Sequence, residues 1–461
     1  MDNVIIVSSD SHAGVPQEQW PEYLEPRFHE LLPSLHEDNA VYPKAIYVLS
    51  SKRQGVGIPE VQEAHRTGWH GLHDPVLRLA DMDREGISAE LIHHGDFRLG
   101  DMFHNATNNV YPLDAWAAGA RAWNHWAADT FGFAMDRFLV VGAIGPCTDM
   151  DETLRDLHWI ADQGFTGTFL PGFLRHADMP PLYDPYWDPF WSVCAERGMP
   201  VVVHAGFGTE QGVVFPQLQR ILDDVARAAG STDLEVLFEH ADAVSQESIE
   251  FFHSFLNNVV PRRPMWQMML GGVFDRHPSL KLVLTEIRLD WIPATLRHLD
   301  GVFEVHRSEL PTKTMPSELW KSNCLAGASF IHKAEVEMRH DIGLETIAFG
   351  RDFPHPEGTW PNTTAWLRDA FAGVPDDELR LMLGENAIRF LDLDRDRLVE
   401  IARRIGPTVA EITGSVPSAA PELIDNFDQR GGYLKPAEGG ARLPQVDEML
   451  REDLAGVGVR V

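Results

Sequence analysis

Short apolar runs rich in β-branched residues recur along the chain, and each run ends in polar residues or glycine. Longer stretches with helical periodicity separate most of them. Runs of this kind predict buried strands that alternate with helices. The predicted strands cover residues 3–10, 88–95, 138–145, 166–172, 200–206, 281–286, 323–330 and 346–352.

The stretches between these runs have the features of amphipathic helices. In DPVLRLADMDREG, Leu79 and Met82 lie on one helical face, and in MDETLRDLHWIADQG the helix is expected to start after Asp149 and to end at Gly164. A strand and helix repeated eight times predict a (β/α)8 TIM-type barrel. A doubly wound open sheet is the alternative, but no GxGxxG motif follows the first strand.

Two segments are too long for ordinary barrel connections. We expect residues 13–75, after the first strand, and 207–279, after the fifth, to fold over the site as helical or irregular insertions. The segment 406–461 is richer in Pro, Gly and Ser. The predicted organisation is a barrel domain, 1–405, and a C-terminal extension, 406–461, that packs on the barrel or on a neighbouring subunit of a homodimer or higher homo-oligomer.

Composition and charge narrow the classes of partner. Hydrophobic residues make up 44% of the 461 residues, which is typical of a folded chain with a large core. The formal charge of -30 would repel a phosphate backbone, so we expect a small-molecule substrate and no nucleic acid. No apolar stretch is long enough to span a bilayer, and the first apolar run is too short for a signal peptide. These features predict a cytoplasmic protein without a membrane partner.

Several kinds of site are excluded by missing motifs. The three cysteines, Cys147, Cys194 and Cys324, form no CxxC pair, which argues against a disulfide framework and predicts buried apolar residues. The motifs GxSxG, GxxxxGK[ST] and HExxH are absent. Serine hydrolases, nucleotide hydrolases and thermolysin-like peptidases therefore lose their usual support.

Candidate catalytic residues lie at the predicted C-terminal ends of strands, where TIM-type barrels carry their sites. Asp10 and His12 close the first strand, and their i, i+2 spacing places both side chains on the same face. His204 closes the fifth strand, Glu286 the sixth and Asp352 the eighth. Imidazoles and carboxylates in this combination suit a divalent ion that lowers the pKa of a bound water or polarises a substrate oxygen.

Longer motifs across residues 3 to 395 carry a family resemblance. They are DSH, RLADMDREGI, GFTGTFLPG, VVVHAG, GGVFDRHPSLKLVLTE, FGRDFPHPEGTWP and LGENAIRFL. In these motifs the chain resembles the branch of the amidohydrolase superfamily that is similar to aminocarboxymuconate-semialdehyde decarboxylase. The resemblance implies a (β/α)8 barrel with one divalent ion, held here by Asp10, His12, His204 and Asp352. We expect zinc, with manganese and iron as the alternatives.

One position departs from the family pattern and changes the expected reaction. Decarboxylases of the family usually have a catalytic His at the end of strand six, where this chain has Glu286. A carboxylate can act as a general base toward water or bind the metal itself. We therefore predict a mononuclear metal-dependent hydrolase that cleaves an amide, ester, C–C or C–N bond in a small cyclic or aromatic substrate. Its predicted catalytic residues are Glu286, Asp352 and His355.

Non-oxidative decarboxylation of an aromatic or unsaturated acid is the alternative reaction, and it needs a proton donor in place of the missing His. His355, His253 or one of His93 and His94 would have to supply that proton. His355 lies three residues beyond Asp352, where it either faces the substrate or orients Asp352. Because neighbours on a strand point to opposite faces, only one of His93 and His94 is expected to face the site. A barrel that has lost catalysis and serves as a binding protein is a third hypothesis.

The candidates for substrate contact are His93, His94, His253, Arg288 and Trp291. Arg288 and Arg351 are suited to binding a substrate carboxylate, but each is also placed to neutralise Glu286 or Asp352. Trp291 offers an apolar wall to the substrate.

Overall fold

A closed barrel of eight parallel strands forms the centre of this computed structural model. Each strand pairs in parallel with its neighbours in sequence, and the first pairs with both the second and the eighth, which closes the sheet. All eight predicted strands are therefore confirmed, although the paired segments are shorter than the apolar runs. They are β1 (Val7–Ser8), β2 (Ala89–His94), β3 (Phe138–Gly142), β4 (Gly167–Phe169), β5 (Val201–Val203), β6 (Leu282–Thr285), β7 (Cys324–Ala328) and β8 (Ile347–Phe349).

The structure describes most of the chain. The described residues are 2–50, 68–95, 99–106, 108–210, 212–248, 259–328, 330–355, 358–414, 421–424 and 440–460.

Neighbouring residues of a barrel strand enter two different apolar clusters. Val202 of β5 belongs to a cluster with residues of the other strands, whereas Val203 packs outward with the surrounding helices. The inner cluster also contains Ile5, which precedes β1, and residues of the helices Asn386–Leu391 and Arg395–Ile405. These two helices therefore cover the N-terminal end of the barrel and leave the C-terminal end for a site.

Helices between the strands and after β8 surround the barrel. Asp149 accepts a hydrogen bond from the backbone N–H of Glu152 at the start of one of them, which confirms the predicted N-cap. Met82 is fully buried and Leu79 is half-buried on another. The α-helices are Pro75–Glu85, Leu113–Phe131, Met150–Asp162, Asp188–Glu196, Ile292–His306, Pro316–Asn323, Lys333–Glu337, Arg339–Ile342, Thr363–Ala370, Asp376–Arg380, Asn386–Leu391 and Arg395–Ile405. A π-helical turn, Leu381–Glu385, precedes the last two. Short 3-10 helices lie at Phe103–Asn105, Gly132–Ala134, Pro185–Trp187 and Leu344–Thr346.

The two long insertions are mainly helical where the structure describes them. The second also contains a short strand, Thr209–Glu210, which pairs in parallel with Leu174–Arg175. Val41–Ser50 of the first packs against Val214–Ala229 of the second, and apolar residues of both form a cluster separate from the barrel core. The first insertion contains Gln17–Gln19, Trp20–Tyr23, Pro26–Leu31, Leu32–Asn39, Val41–Ser50 and Gly68–Leu72, and the second contains Val214–Ala229, Leu234–Glu239, Ala241–Ala243, Val260–Arg262, Arg263–Leu270 and Val273–Arg276.

The end of the chain returns to the second insertion. Helix Leu443–Gly456 packs against Arg263–Leu270, and the buried carboxylate of Asp453 accepts hydrogen bonds from Trp266 and Gln267 there. Closer to the barrel, the short helix Val409–Thr413 begins beside residues 2–4, which precede β1. The division into a barrel domain and an extension at residue 406 stays a prediction.

The three cysteines are buried and none is in a disulfide, as predicted. None of the helices among the described residues has the length and apolarity that crossing a membrane would need.

Candidate metal centre

Asp10 and His12 lie just beyond β1, in a stretch that continues the barrel wall. Residues His12–Ala13 pair with the end of β2, and Ser11 forms a parallel bridge with Phe353. Both side chains are buried, and His12 Nε2 is 3.6 Å from Asp10 Oδ1. The predicted pairing of these two residues on one face is consistent with this distance.

His204 brings the fifth strand to the same point. Its Nε2 atom is 3.4 Å from Asp10 Oδ1 and 3.0 Å from Glu286 Oε2. Asp352 joins from the eighth strand, with Oδ1 3.4 Å from His12 Nε2. The structure therefore brings together the predicted residues from four separated parts of the chain.

Backbone carbonyls orient the two imidazoles that face the centre. His12 Nδ1 lies 3.2 Å from the carbonyl oxygen of His94, and His204 Nδ1 lies 2.9 Å from that of Ala205. A carbonyl oxygen accepts only, so each Nδ1 donates its hydrogen. In a neutral imidazole this leaves Nε2 as the lone-pair atom that faces the carboxylates, which is the arrangement found in metal-binding histidines.

The two carboxylates at the ends of β6 and β8 have an unusual backbone. Glu286 has φ 50° and Asp352 has φ 54°, in the left-handed region that disfavours residues other than glycine. The backbone N–H of Asp352 donates to the carbonyl oxygen of Asp10, which ties the turn after β8 to the end of β1. Such backbone strain concentrates at functional sites.

His355 lies beside Asp352, as its spacing in the sequence suggested. Its Nδ1 atom is 3.0 Å from Asp352 Oδ1, and its ring stacks on that of His12 with centroids 4.0 Å apart. The His355 side chain is 13% exposed, compared with 3% for His12. It therefore lies on the solvent side of the centre.

The separations between these atoms fit a common ion. Two ligands about 2.1 Å from one ion are roughly 3.0 to 3.4 Å apart in octahedral or tetrahedral geometry. His12 Nε2 and Asp352 Oδ2 are buried and make no hydrogen bond within the described part of the chain. Ligand atoms lie within 4.8 Å of one another in two overlapping groups: Asp10, His12, His204 and Glu286, and His12, Glu286, Asp352 and His355.

The charges at this centre are strongly coupled. Burial raises the pKa of Asp352 well above its usual range, and the carboxylates of Glu286 and Asp10 add to this rise. Burial alone would lower the pKa of His204, but Glu286 and Asp10 outweigh it, and the pKa is raised well above its usual value. A divalent cation would offset the repulsion among the three buried carboxylates.

His93 and His94 have different surroundings, as expected for neighbours on a strand. His93 Nε2 is 3.2 Å from the carbonyl oxygen of Ser9 and 3.9 Å from Asp10 Oδ1, so His93 borders the centre. Burial lowers its pKa to about 4. The ring of His94 instead contacts those of His104 and Phe169, with centroids 4.7 and 4.3 Å apart.

Two other residues predicted to contact the substrate lie against side chains outside the metal centre. Arg288 is buried, with Nε 3.5 Å from Asp290 Oδ1. Trp291 is fully buried, and the guanidinium group of Arg262 lies 4.8 Å from its ring centroid. Contact of Arg288 or Trp291 with substrate stays a prediction, and His253 lies outside the described residues.

Arg351 is a correction to the sequence analysis. The structure places it neither at the substrate nor beside Asp352 as a counter-charge, because its guanidinium group binds Glu90 and Asp81, each at 2.8 Å. Arg351 is fully buried, and both of these carboxylates are buried with it. The Arg351 side chain therefore points away from the metal centre.

A buried ionic group that the sequence did not indicate connects the segments of this centre. Arg78 binds Glu90 and donates hydrogen bonds to the carbonyl oxygen of His12 and to Ser11 Oγ. Glu90 also binds Arg351, so one carboxylate connects the segments that carry His12 and Asp352. Arg78 is part of RLADMDREGI, but nothing in that motif indicates which partners it meets.

The fold is a (β/α)8 barrel, and the buried histidines and carboxylates at the C-terminal ends of its strands form a candidate metal centre. The chain belongs to the amidohydrolase family, because the family model described as Amidohydrolase matches residues 60–393. It is accordingly an enzyme of the amidohydrolase superfamily, which confirms the predicted resemblance.

Comparison with individual proteins is consistent with this family. Over 263 residues the chain is 25% identical to the gamma-resorcylate decarboxylase of a Rhizobium species, covering 53% of this chain and 70% of the relative. The fold is similar to that of an amidohydrolase from Mycobacterium avium subsp. paratuberculosis, with TM-score 0.59, 17% identity and coverage of 86% and 99%. It is also similar to the 5-carboxyvanillate decarboxylase of Novosphingobium aromaticivorans in complex with manganese and 4-hydroxy-3-methoxy-5-nitrobenzoic acid, with TM-score 0.54, 17% identity and coverage of 85% and 96%.

Proposed function

We propose that this protein is a metal-dependent, non-oxidative decarboxylase of a small aromatic acid. This reaction is the alternative of the sequence analysis, and the comparisons favour it over the hydrolysis that Glu286 suggested. The proposal depends on one combination: a buried centre suited to a divalent ion, in a chain whose relatives include decarboxylases named for aromatic acids.

Asp10, His12, His204 and Asp352 would hold the ion, and we assign Glu286 to the same set. Glu286 belongs to both groups of converging ligand atoms, and its Oε2 atom is 3.0 Å from the Nε2 atom of His204. A carboxylate in that position is a ligand rather than a distant base. When bound, the ion supplies positive charge that anchors the carboxylate of the acid and an oxygen beside it.

We assign the proton transfer to His355. As the C–C bond to the carboxylate breaks, carbon dioxide leaves and the bonding electron pair stays on the ring carbon. That carbon takes a proton from Nε2 of His355, while Asp352, 3.0 Å from Nδ1, orients the ring and stabilises its charged form. Because His355 is the more exposed imidazole of the stacked pair, solvent can return the proton after each turnover.

Isotope incorporation separates decarboxylation from hydrolysis. The purified chain, loaded with Mn²⁺ or Zn²⁺, would be incubated with 2,6-dihydroxybenzoate and with 5-carboxyvanillate in D₂O and in ¹⁸O-labelled water. Decarboxylation releases carbon dioxide and an aromatic product with one deuterium on the former carboxyl carbon and no ¹⁸O. Turnover of amides, esters or lactones with ¹⁸O in the product, and none of aromatic acids, would overturn the proposal.

A second test addresses the proton donor. We expect His355→Gln to lower kcat by about 10²- to 10⁴-fold with unchanged metal content, because general acid catalysis contributes on that scale. His340→Gln is the matched control, since His340 is 60% exposed and pairs with Glu378 away from the centre. Full activity of His355→Gln would exclude His355 as the donor.

The identity of the ion is part of the proposal. Zinc was predicted from the sequence, whereas manganese is supported by the manganese-bound decarboxylase of similar fold. Elemental analysis of the purified protein, followed by activity measurements after reconstitution with each ion, distinguishes the two.

A further inference from the structure

We infer that a second divalent cation binds beside the barrel centre, held by His94, Asp101 and His104. One ligand atom from each of these residues lies within 4.8 Å of the others, and all three residues are buried. The group shares no residue with the two groups of the barrel centre. Two imidazoles and one carboxylate suit zinc, manganese, iron or cobalt and leave positions for water.

Three histidine nitrogens of this group make no hydrogen bond to the residues that the structure describes. His104 is 6% exposed, and neither of its ring nitrogens makes a hydrogen bond within the described part of the chain. The same is true of His94 Nδ1. Leaving a buried polar atom without a partner costs about 1–3 kcal/mol. Because the two rings meet edge to face at 4.7 Å, one cation can use a nitrogen from each.

Two amide side chains hold Asp101 in place, one through its carboxylate and one through its backbone. Asn105 Nδ2 donates a hydrogen bond of 2.7 Å to Asp101 Oδ2, and Asn39 Nδ2 donates one of 2.6 Å to the carbonyl oxygen of Asp101. Hydrogen bonds of this kind orient a metal-binding carboxylate. Asn39 belongs to the first long insertion, so the ion would connect that insertion to the loop after β2.

A glycine makes room for the histidine of this loop. Gly119 lies within helix Leu113–Phe131, where a glycine destabilises by up to about 1 kcal/mol relative to alanine. A Cβ atom at this position would be 2.9 Å from the backbone nitrogen of His104 and 3.3 Å from its Nδ1. The helix backbone therefore comes directly against His104, and a larger residue would displace it.

The two centres are neighbours at the mouth of the barrel. Gly95, with φ +105°, follows His94, and a Cβ atom there would be 3.6 Å from His12 Nδ1 and 3.8 Å from Asp101 Oδ2. His93 borders the barrel centre, whereas His94 faces the second site. One strand thus contributes adjacent residues to two centres, and the second ion would brace the loop next to the first.

Metal stoichiometry tests this inference directly. The full chain, free of any tag, would be stripped with a chelator, reconstituted with Zn²⁺, desalted and measured by elemental analysis. We expect two zinc ions per chain in the wild type and one in His104→Ala, in Asp101→Asn and in Asp352→Asn. Anomalous diffraction at the zinc edge should show a peak between His94, Asp101 and His104 in the wild type and in Asp352→Asn.

His125→Ala is the matched control, because His125 is exposed on helix Leu113–Phe131 and contacts Trp159. It should keep both ions. One ion in the wild type and none in Asp352→Asn would overturn the inference, as would two ions in a folded His104→Ala. If His104→Ala does not fold, the diffraction measurement on the wild type still decides. Because no outcome depends on turnover, failure of this inference is separate from failure of the proposed decarboxylation.

Discussion

At the scale of single residues, the centre depends on two carboxylates with left-handed backbone. Glu286 and Asp352 have φ values of 50° and 54°. Each costs on the order of 1–3 kcal/mol, which the surrounding structure must offset. The conformation turns both carboxylates toward His204 and His12, instead of along the next loop.

Replacing Glu286 by Gln tests its assignment as a ligand. Gln keeps the shape of the side chain and removes its charge, so we expect the affinity for Mn²⁺ or Zn²⁺ at the barrel centre to fall by at least about 10-fold. Metal titration followed by elemental analysis measures this change.

Glu335→Gln serves as the control for losing a buried carboxylate. Glu335 accepts hydrogen bonds from the backbone N–H groups of Leu289 and His332, so the metal content should not change. A Glu286→Gln variant with full metal affinity and no activity would instead make Glu286 a proton-transfer group.

At the scale of elements, a buried ionic network joins the segments that carry the centre. Glu90 of β2 binds Arg78 of helix Pro75–Glu85 and Arg351 after β8, at 2.6 and 2.8 Å. Arg78 also holds the backbone of His12. The network therefore fixes the relative positions of the first, second and eighth strands.

Glu90→Gln removes the charge that the two arginines share. We expect the free energy of unfolding to fall by about 3–5 kcal/mol, because the variant leaves buried positive charge uncompensated. Glu385→Gln, in a surface pair with Arg395, should change it by less than about 1 kcal/mol. Urea unfolding compares the two variants, and equal effects would show that the network is not a major source of stability.

The same network predicts a pH dependence of stability. Burial alone would raise the pKa of Glu90, but Arg351 and Arg78 outweigh it and lower the pKa below 4.5. A carboxyl group with a lower pKa in the folded chain stabilises it above the unfolded pKa, and this contribution is lost as the pH falls toward the folded value. Below about pH 4.5, wild-type stability should fall more steeply than that of Glu90→Gln. Urea unfolding at several pH values measures the free energy of unfolding of both proteins. An equal fall of this free energy with pH in the wild type and in Glu90→Gln would contradict the prediction.

The C-terminal helix is attached through one buried carboxylate. Asp453 accepts hydrogen bonds from Arg263, Trp266 and Gln267. Its neighbour Glu452 is 66% exposed and pairs with only one of these three residues, Arg263. We expect Asp453→Asn to lower the free energy of unfolding by about 3 kcal/mol or more. Glu452→Gln should have an effect below about 1 kcal/mol. Limited proteolysis should cut residues 440–460 faster in Asp453→Asn only.

At the scale of the whole molecule, a bound ion would tie together strand ends that are far apart in sequence. Binding to the folded chain alone stabilises it by about 2.7 kcal/mol when the free ion is at 100 times its Kd. We therefore expect chelation to lower Tm by several degrees and Mn²⁺ to restore it. Differential scanning calorimetry measures both changes. Asp352→Asn should show a smaller recovery, and an equal recovery would place the stabilising ion elsewhere.

Much of the fold could be predicted from the sequence because barrel strands are buried on both faces. Their residues form continuous apolar runs, and the runs locate all eight strands. The ends of those runs identify Asp10, His12, His204 and Asp352, since the C-terminal ends of barrel strands meet at one face. The amino-acid sequence therefore determines the barrel and the kinds of side chain at its mouth.

Only the tertiary structure decided which of these side chains meet. Glu286 lies 3.0 Å from His204, whereas Arg351, next to Asp352, turns away to Glu90. The sequence contains no periodic signal for contacts between residues so far apart, and side-chain direction at a strand end depends on φ and on the neighbours that pack there. The grouping of His94 with His104 depends in the same way on how closely a helix approaches the loop after β2.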